Sequence, residues 1–305
     1  MEQAEAISGA ITTQVQSLQV GSQELTMTIA DDHAERCIGP EESARIWSHS
    51  ALPGVELFQG SYRDYEFAPH FHSVPALGVV DRGAMRWEAS RASHHLPAGD
   101  ILMLNPGDVH AAGPVSEHGW SFRVFFLDNA LFQTQSEDVN GKLLRFAKSF
   151  LKSPRLGQML LELHLALERQ TGALEAQSGL LRVFEELSLV QGTIQAEQQT
   201  SRSEKGLIRR CREFIHAHYA RNISLADLSA AAETSPFHLL RSFRQQVGLT
   251  PHAYLVQTRV EAAKHLLRAR TAIAEVAALT GFTDQSHLTR HFKRLTGVTP
   301  RRFRP

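Results

Sequence analysis

Between residues 205 and 305 apolar positions recur every three or four residues, and the pattern occurs twice. The first copy reads ISLADLSAAAETSPFHLLRSFRQQVGLTP (223–251) and the second TAIAEVAALTGFTDQSHLTRHFKRLTGVTP (271–300). Phe243 and Phe292, Gly248 and Gly297, Thr250 and Thr299, and Pro251 and Pro300 match at an offset of 49. Leu225 with Ile273 and Leu228 with Val276 match at 48, so the second copy has one extra residue in its turn. Each copy predicts a short helix, a turn and a longer helix.

Punctuation supports that parse. Ser224 followed by Asp227 is a capping-box pattern, with Leu225, Leu228 and Ala232 expected inward. Ser235 then restarts a helix with Pro236 in the tolerated first position, and Gly248 ends it as a C-terminal glycine should. In the second copy Thr283 is the expected cap and Gly297 the stop. Ala272 stands where a cap would help, leaving Thr271 as a displaced substitute. Glu233 occupies the first turn, where glycine is common; a positive φ there would cost about 1 kcal/mol. Between the copies, Val256, Val260, Ala263 and Leu267 form one apolar stripe along 251–269, a helix of roughly 28 Å. A rigid spacer of that length could hold two recognition helices, about 236–247 and 284–296, in successive major-groove segments about 34 Å apart.

Residues 55–128 follow a different period. The runs VELFQGSY, ALGVVDRG, AMRWEAS, DILMLN and WSFRVFFL are strand-like, with turn signals at Arg82-Gly83, Pro97–Gly99 and Asn105–Asp108. They predict a small sandwich or barrel. Helical spacing returns with Leu143, Phe146 and Phe150, is broken at Pro154, and resumes with Leu160, Leu163 and Leu167. Leu180, Phe184 and Leu187 mark a further helix. Residues 1–45 read as a mobile arm, and the polar stretch 191–204 as a linker.

Charge sharpens this division. The chain is neutral overall, yet residues 201–305 hold 18 Lys and Arg against 7 Asp and Glu, a net +11, while residues 1–200 are net −11. A split of this size suits a C-terminal module that binds a polyanion. Cys37 and Cys211 are far apart, without metal or disulfide spacing, which points to a reducing, cytoplasmic setting. The N-terminal residues lack a secretory pattern, and no run reaches the roughly 18 apolar residues of a membrane span.

The run G-F-x-x-Q-S-H-L-x-R-x-F-K-x-x-x-G-x-T-P from Gly281 to Pro300, with S-P-F-H-L-L-R-x-F-R from Ser235 and G-L-T-P-H-A-Y-L from Gly248, resembles the DNA-binding domain of AraC-type (AraC/XylS) transcription regulators. The resemblance covers about 205–305. It implies that Phe237, His238, Leu240 and Arg241, and Gln285, Ser286, Thr289 and Arg290, face DNA bases, while Leu239, Phe243, Leu288 and Phe292 are core. Arginine, glutamine and hydroxyl side chains can read base edges in the major groove.

His70 and His72, followed by PAGDILMLNPGDVH ending at His110, resemble the cupin-like sensor domain of the same regulators. In a strand His70 and His72 share a face and could line a barrel with His110. Metal-binding cupins usually place a Glu shortly after the H-x-H, where this chain has Ala76 and Leu77. Hydrogen bonding to a small effector is the favoured reading over a metal or plain structural histidines, and neither a metal nor another cofactor is assigned. Arg86, Glu88, Trp120 and Arg123 are further effector-pocket candidates. No nucleophile–base pair, P-loop or G-x-G-x-x-G is present, so no enzyme is expected.

The expected architecture is α+β in two domains. A cupin-like β-barrel with flanking helices (46–190) senses an effector and dimerises, and an all-α domain (205–305) carries tandem helix-turn-helix units joined by a linker helix. The expected partners are double-stranded DNA, a small-molecule effector and a second copy of the chain, with RNA polymerase a further candidate and no membrane. Activation and repression both stay open.

Overall fold

The computed structural model describes residues 42–89, 92–135, 144–190, 194–196 and 204–304. Residues 1–41 of the expected arm and most of the expected linker lie outside these.

The N-terminal part is built on antiparallel strands: β1 (Ser43–Ser48), β2 (Val55–Tyr62), β3 (Phe67–His70), β4 (Ala76–Ala89), β5 (Ala92–Pro97), β6 (Ile101–Leu104), β7 (His110–Pro114) and β8 (Trp120–Leu127). Short strands β9 (Leu144–Phe146), β10 (Phe150–Leu151) and β11 (Ile194–Ala196) complete it. The main path runs β1-β2-β8-β4-β6-β10, while β5 and β7 pair with β4 and β3 pairs with β7. Ser43 to Arg45, placed with the arm by the sequence pattern, belong to β1 and pair with Gln59 to Ser61.

Strand β4 organises this domain. Its first half pairs with β8 and β6, and its second half with β5 and β7. The sequence pattern divides it into two strands at Arg82-Gly83, but the chain does not reverse there. A bulge between Val80 and Arg82 bends one continuous strand instead. Gly83 sits at φ 70, and a Cβ there would come within 2.4 Å of the Gly119 carbonyl oxygen. The bulge also shifts the inward parity: Ala76 and Gly78 face the barrel interior before it, Met85 and Trp87 after it.

The run from Leu144 to Phe150 corrects a second expectation. Its helical spacing yields strands, because β9 finds β11 and β10 finds the edge of β6. A short apolar run satisfies either period, and an open sheet edge decides. Helix α1 (Asn129–Gln135) precedes these strands. Helix α2 (Pro154–Glu168) starts at the predicted proline, and α3 (Ala173–Leu189) follows. They bury Leu160, Leu163, Leu167, Leu180, Phe184 and Leu187 against the outer sheet face of Leu77, Val79, Phe125 and Leu127.

The C-terminal helices are α4 (Glu204–His218), α5 (Leu225–Ala231), α6 (Pro236–Val247), α7 (Pro251–Arg268), α8 (Ile273–Leu279), α9 (Gln285–Thr296) and α10 (Pro300–Phe303). The first unit closes around Leu228, Leu239, Phe243 and Tyr254. The second closes around Val256, Val260, Val276, Leu288 and Phe292, and this core runs on without a break into the barrel interior of Phe58, Trp87 and Phe122. Burial of that extent makes the two parts one packed body. Among the described residues no helix is long and apolar enough to cross a membrane.

Candidate functional site

Two regions carry the chemistry. The first is the outer face of the paired helical units. Ser224 and Asp227 form the expected capping box: Asp227 N–H donates to Ser224 Oγ at 3.1 Å and Ser224 N–H to Asp227 Oδ2 at 2.8 Å. Leu225 is 37% exposed, so only Leu228 and Ala232 of the expected trio are buried. Glu233 does adopt a positive φ, 53°, where the second unit has Gly281 at 78°. Ala272 caps α8 without any side-chain bond. The cap of α9 is Asp284, whose Oδ1 accepts from His287 N–H at 2.7 Å. The expected Thr283 is displaced by one residue, because the carboxylate reaches the free amide and also suits the positive end of the helix dipole.

These caps fix which way α6 and α9 face. Leu239, Phe243, Leu288 and Phe292 are fully buried. Phe237 is 77% exposed, and His238, Leu240, Arg241, Gln285, Ser286 and Arg290 are also exposed, with Thr289 half-buried. Phe237 and Leu240, which is 41% exposed, thus place two apolar side chains on the same outer face as Arg241.

The second region is a cavity of about 120 Å³ inside the barrel. Phe58, Met85, Trp87, Phe122, Val124 and Phe126 wall it, with Glu56, His72, Ser73 and His110 among the polar groups that the N-terminal part contributes. Its roof comes from the C-terminal helices: Glu261, Lys264, His265 and Arg268 of α7, Thr296 of α9 and Phe303 of α10.

Polar bonds hold the roof down. Arg268 donates to both Glu56 carboxylate oxygens, at 3.1 and 2.7 Å. Ser73 Oγ donates to Glu261 at 2.7 Å, and Lys264 pairs with the same carboxylate at 2.7 Å. Burial alone would raise the Glu261 carboxyl, but Lys264, the Ser73 hydroxyl and Arg268 outweigh it and hold the group below its usual range. Gln257 donates to the Phe71 carbonyl at 3.0 Å, and Tyr65 OH to the Lys293 carbonyl at 3.0 Å. The last bond ties the barrel directly to α9.

The three histidines converge. His70 pairs across the strands with His110, their ring centroids 4.2 Å apart, and His72 lies 5.1 and 5.0 Å from them. Burial is the main cause that lowers all three pKa values, His70 to about 4, so each ring is neutral near pH 7.

The other four candidates lie off the cavity. Past the bulge, Arg86 and Glu88 face outward, and Arg86 pairs with Glu66 at 2.8 Å and with Glu88 at 3.2 Å. Arg123 faces the helices, bonding Asp81 at 3.1 Å, Glu168 at 2.7 Å and His164 at 3.1 Å. Trp120 is on the inward face but packed away, stacked on Phe122 with centroids 5.0 Å apart. The sequence pattern missed the roof. Its signal is the polar stripe Gln257, Glu261, Lys264 and Arg268, which has the helical spacing of the apolar stripe and runs one residue behind it.

Residues 52–184 match the family model of an AraC-like ligand binding domain, and residues 228–305 that of a helix-turn-helix domain. The chain is 30% identical over 225 residues to the uncharacterized HTH-type transcriptional regulator YbfI of Bacillus subtilis, covering 73% of this chain and 82% of that one. It is 22% identical over 249 residues to the Msm operon regulatory protein of Streptococcus mutans, covering 79% and 88%. Among solved structures it is similar in fold to ToxT from Vibrio cholerae, with a TM-score of 0.52, 12% identity and coverage of 81% and 94%.

Proposed function

The chain belongs to the AraC-type family of DNA-binding transcription regulators with an N-terminal ligand-binding domain, and from that premise we propose how its two regions work together. The outward residues of α6 (Phe237, His238, Leu240, Arg241) and of α9 (Gln285, Ser286, Thr289, Arg290) read base edges in two adjacent major-groove segments of double-stranded DNA. A small-molecule effector enters the barrel cavity and meets His72 and His110, with His70 behind them. Such regulators bind and control; they do not catalyse.

One observation carries the reading: α7, the helix that spaces the two recognition helices, is also the roof of the cavity. An effector that fits the cavity only when α7 shifts favours one arrangement of α6 and α9 over another. That is coupling between two sites through a shared element, typically about 1–3 kcal/mol. The polar clamps from Glu56, Ser73, Tyr65 and Phe71 define the effector-free arrangement. The same reading makes the protein a cytoplasmic homodimer that meets RNA polymerase at its promoters.

The test is DNA binding by the full-length protein, with and without a panel of small metabolites. An effector should change the affinity for a selected site, and Lys264→Ala should alter that change while leaving effector-free affinity within a few-fold. If the wild type binds DNA but no compound that occupies the cavity alters its affinity, the coupling fails.

A further inference from the structure

We propose that His70, His72 and His110 form a binding site for a divalent transition-metal ion of the Zn²⁺ class, set in the wall of the barrel cavity. One ring nitrogen from each lies within 4.8 Å of the others. The convergence is built into the backbone: His70 ends β3, His110 begins β7, and the two are directly paired across the strands.

The hydrogen bonds prepare the rings as ligands. His70 Nδ1 lies 2.8 Å from the Ala68 carbonyl, and His110 Nδ1 lies 3.1 Å from the Asp108 carbonyl. A carbonyl only accepts, so each Nδ1 carries the hydrogen and each Nε2 keeps its lone pair. Metal-bound histidines are usually oriented in this way by a second acceptor.

Donor chemistry selects the ion. Three imidazole nitrogens suit Zn²⁺, Co²⁺, Ni²⁺ or Cu²⁺ and not the oxygen-seeking Ca²⁺ or Mg²⁺. Zinc–nitrogen bonds of about 2.0–2.1 Å in a tetrahedron put nitrogens about 3.4 Å apart, so the set must contract by roughly an ångström. His72, half-buried and past the end of β3, supplies that movement. Lys264, which lines the same cavity, is paired with Glu261 at 2.7 Å, and this offsets its repulsion of an incoming ion. Three protein ligands leave a fourth position. Because His72 and His110 line the cavity, that position opens into it, where an anionic oxygen or a nitrogen of an effector could bind.

This deepens the effector reading and rests on it only for the consequence on DNA binding; metal uptake is measured without DNA. Full-length protein stripped with a chelator is titrated with Co²⁺, reading the visible bands of the bound ion and the stoichiometry by elemental analysis. The expected result is one ion per chain, in a tetrahedral spectrum displaced by Zn²⁺. Substituting a ligand in His70→Ala or His110→Ala should weaken binding at least as much as the about 10–100-fold typical of losing an outer-shell partner. If those buried variants misfold, His72→Ala, on the half-buried member, gives the same readout. His287 and His291, a partly exposed pair on α9 with ring centroids 4.7 Å apart, are the competing site. The joint His287→Ala and His291→Ala variant should keep its ion. No stoichiometric uptake by the wild type, or uptake lost in that variant and kept in His72→Ala, overturns the proposal. Absence of metal alongside a normal effector response would overturn it alone and leave the effector reading standing.

Discussion

Arg268, on the helix that joins the two recognition units, grips both carboxylate oxygens of Glu56 on β2, at 3.1 and 2.7 Å. A bidentate pair of this kind fixes orientation as well as distance, so it sets where α7 lies over the cavity. Arg268 also rests on Phe303, its guanidinium 5.0 Å from the ring centre.

The clamp should therefore matter more for coupling than for stability. The Arg268 side chain is 41% exposed, and solvent screens the pair to about 0.5–1 kcal/mol. In a double-mutant cycle with Arg268→Ala and Glu56→Ala, the coupling in thermal stability should be about that size. Both variants should shift effector-free DNA affinity in the same direction. Opposite shifts would show that the pair is not a clamp.

Reading and folding should separate cleanly on the two recognition helices. Arg241→Ala and Arg290→Ala remove exposed side chains and should leave the melting temperature within a degree or two. Phe243→Ala and Phe292→Ala open cavities at fully buried positions and should destabilise by about 3–5 kcal/mol. Denaturant unfolding checks both pairs. Unfolded arginine variants beside stable phenylalanine ones would reverse the assigned faces.

Glu233 is held at φ 53°, a conformation that disfavours a side chain and that glycine supplies in the second unit. Glu233→Gly should stabilise the protein by about 1 kcal/mol, since the relief of strain outweighs the gain in unfolded-chain entropy. Urea unfolding measures it. A loss of stability would mean that the glutamate side chain contributes more than its backbone strain.

The helical repeat, its buried faces and its glycine stops were legible because caps, periods and stops are local: Leu239, Phe243, Gly248 and their counterparts fall where the spacing puts them. His70, His72 and His110 do converge, but not as two neighbours on one strand face: β3 ends at His70, and His72 reaches the cluster from the segment beyond it. The rest of the cavity was not legible. A single bulge between Val80 and Arg82 reverses which residues of β4 face inward, so Met85 and Trp87 wall the cavity while Arg86 and Glu88 face away from it. Nothing in the local pattern marks that shift. The roof is less legible still, since Arg268 meets Glu56 and Glu261 meets Ser73 across 212 and 188 residues of chain, and only tertiary packing decides that.

His164 should give the fold an acid-sensitive limb. It is fully buried, its Nε2–H donating to the Phe58 carbonyl at 3.1 Å and its Nδ1 accepting from Arg123 at 3.1 Å. Burial first, then the Arg123 charge, lowers its pKa to about 3. The unfolded chain, with a histidine pKa of about 6.5, takes up a proton that the folded state refuses. The contribution is therefore complete above pH 6.5 and is lost as pH falls toward 3, at up to about 1.4 kcal/mol per pH unit. His164→Gln, which can keep both hydrogen bonds, should lower stability at pH 7 yet flatten its fall between pH 6 and 4 by about that slope. An unchanged slope would show that His164 is not held neutral.

The central claim, that two recognition helices read adjacent stretches of duplex DNA, is tested most directly by selecting sites for the full-length protein from a random duplex pool. The account predicts an enriched site with two base-specific segments centred about 10–10.5 base pairs apart. Arg241→Ala should relax one segment and Arg290→Ala the other, each at about 1–3 kcal/mol. The affinity should also fall steeply with salt as counterions are released. Enrichment of no sequence at low salt, or one motif left unchanged in both variants, would contradict it.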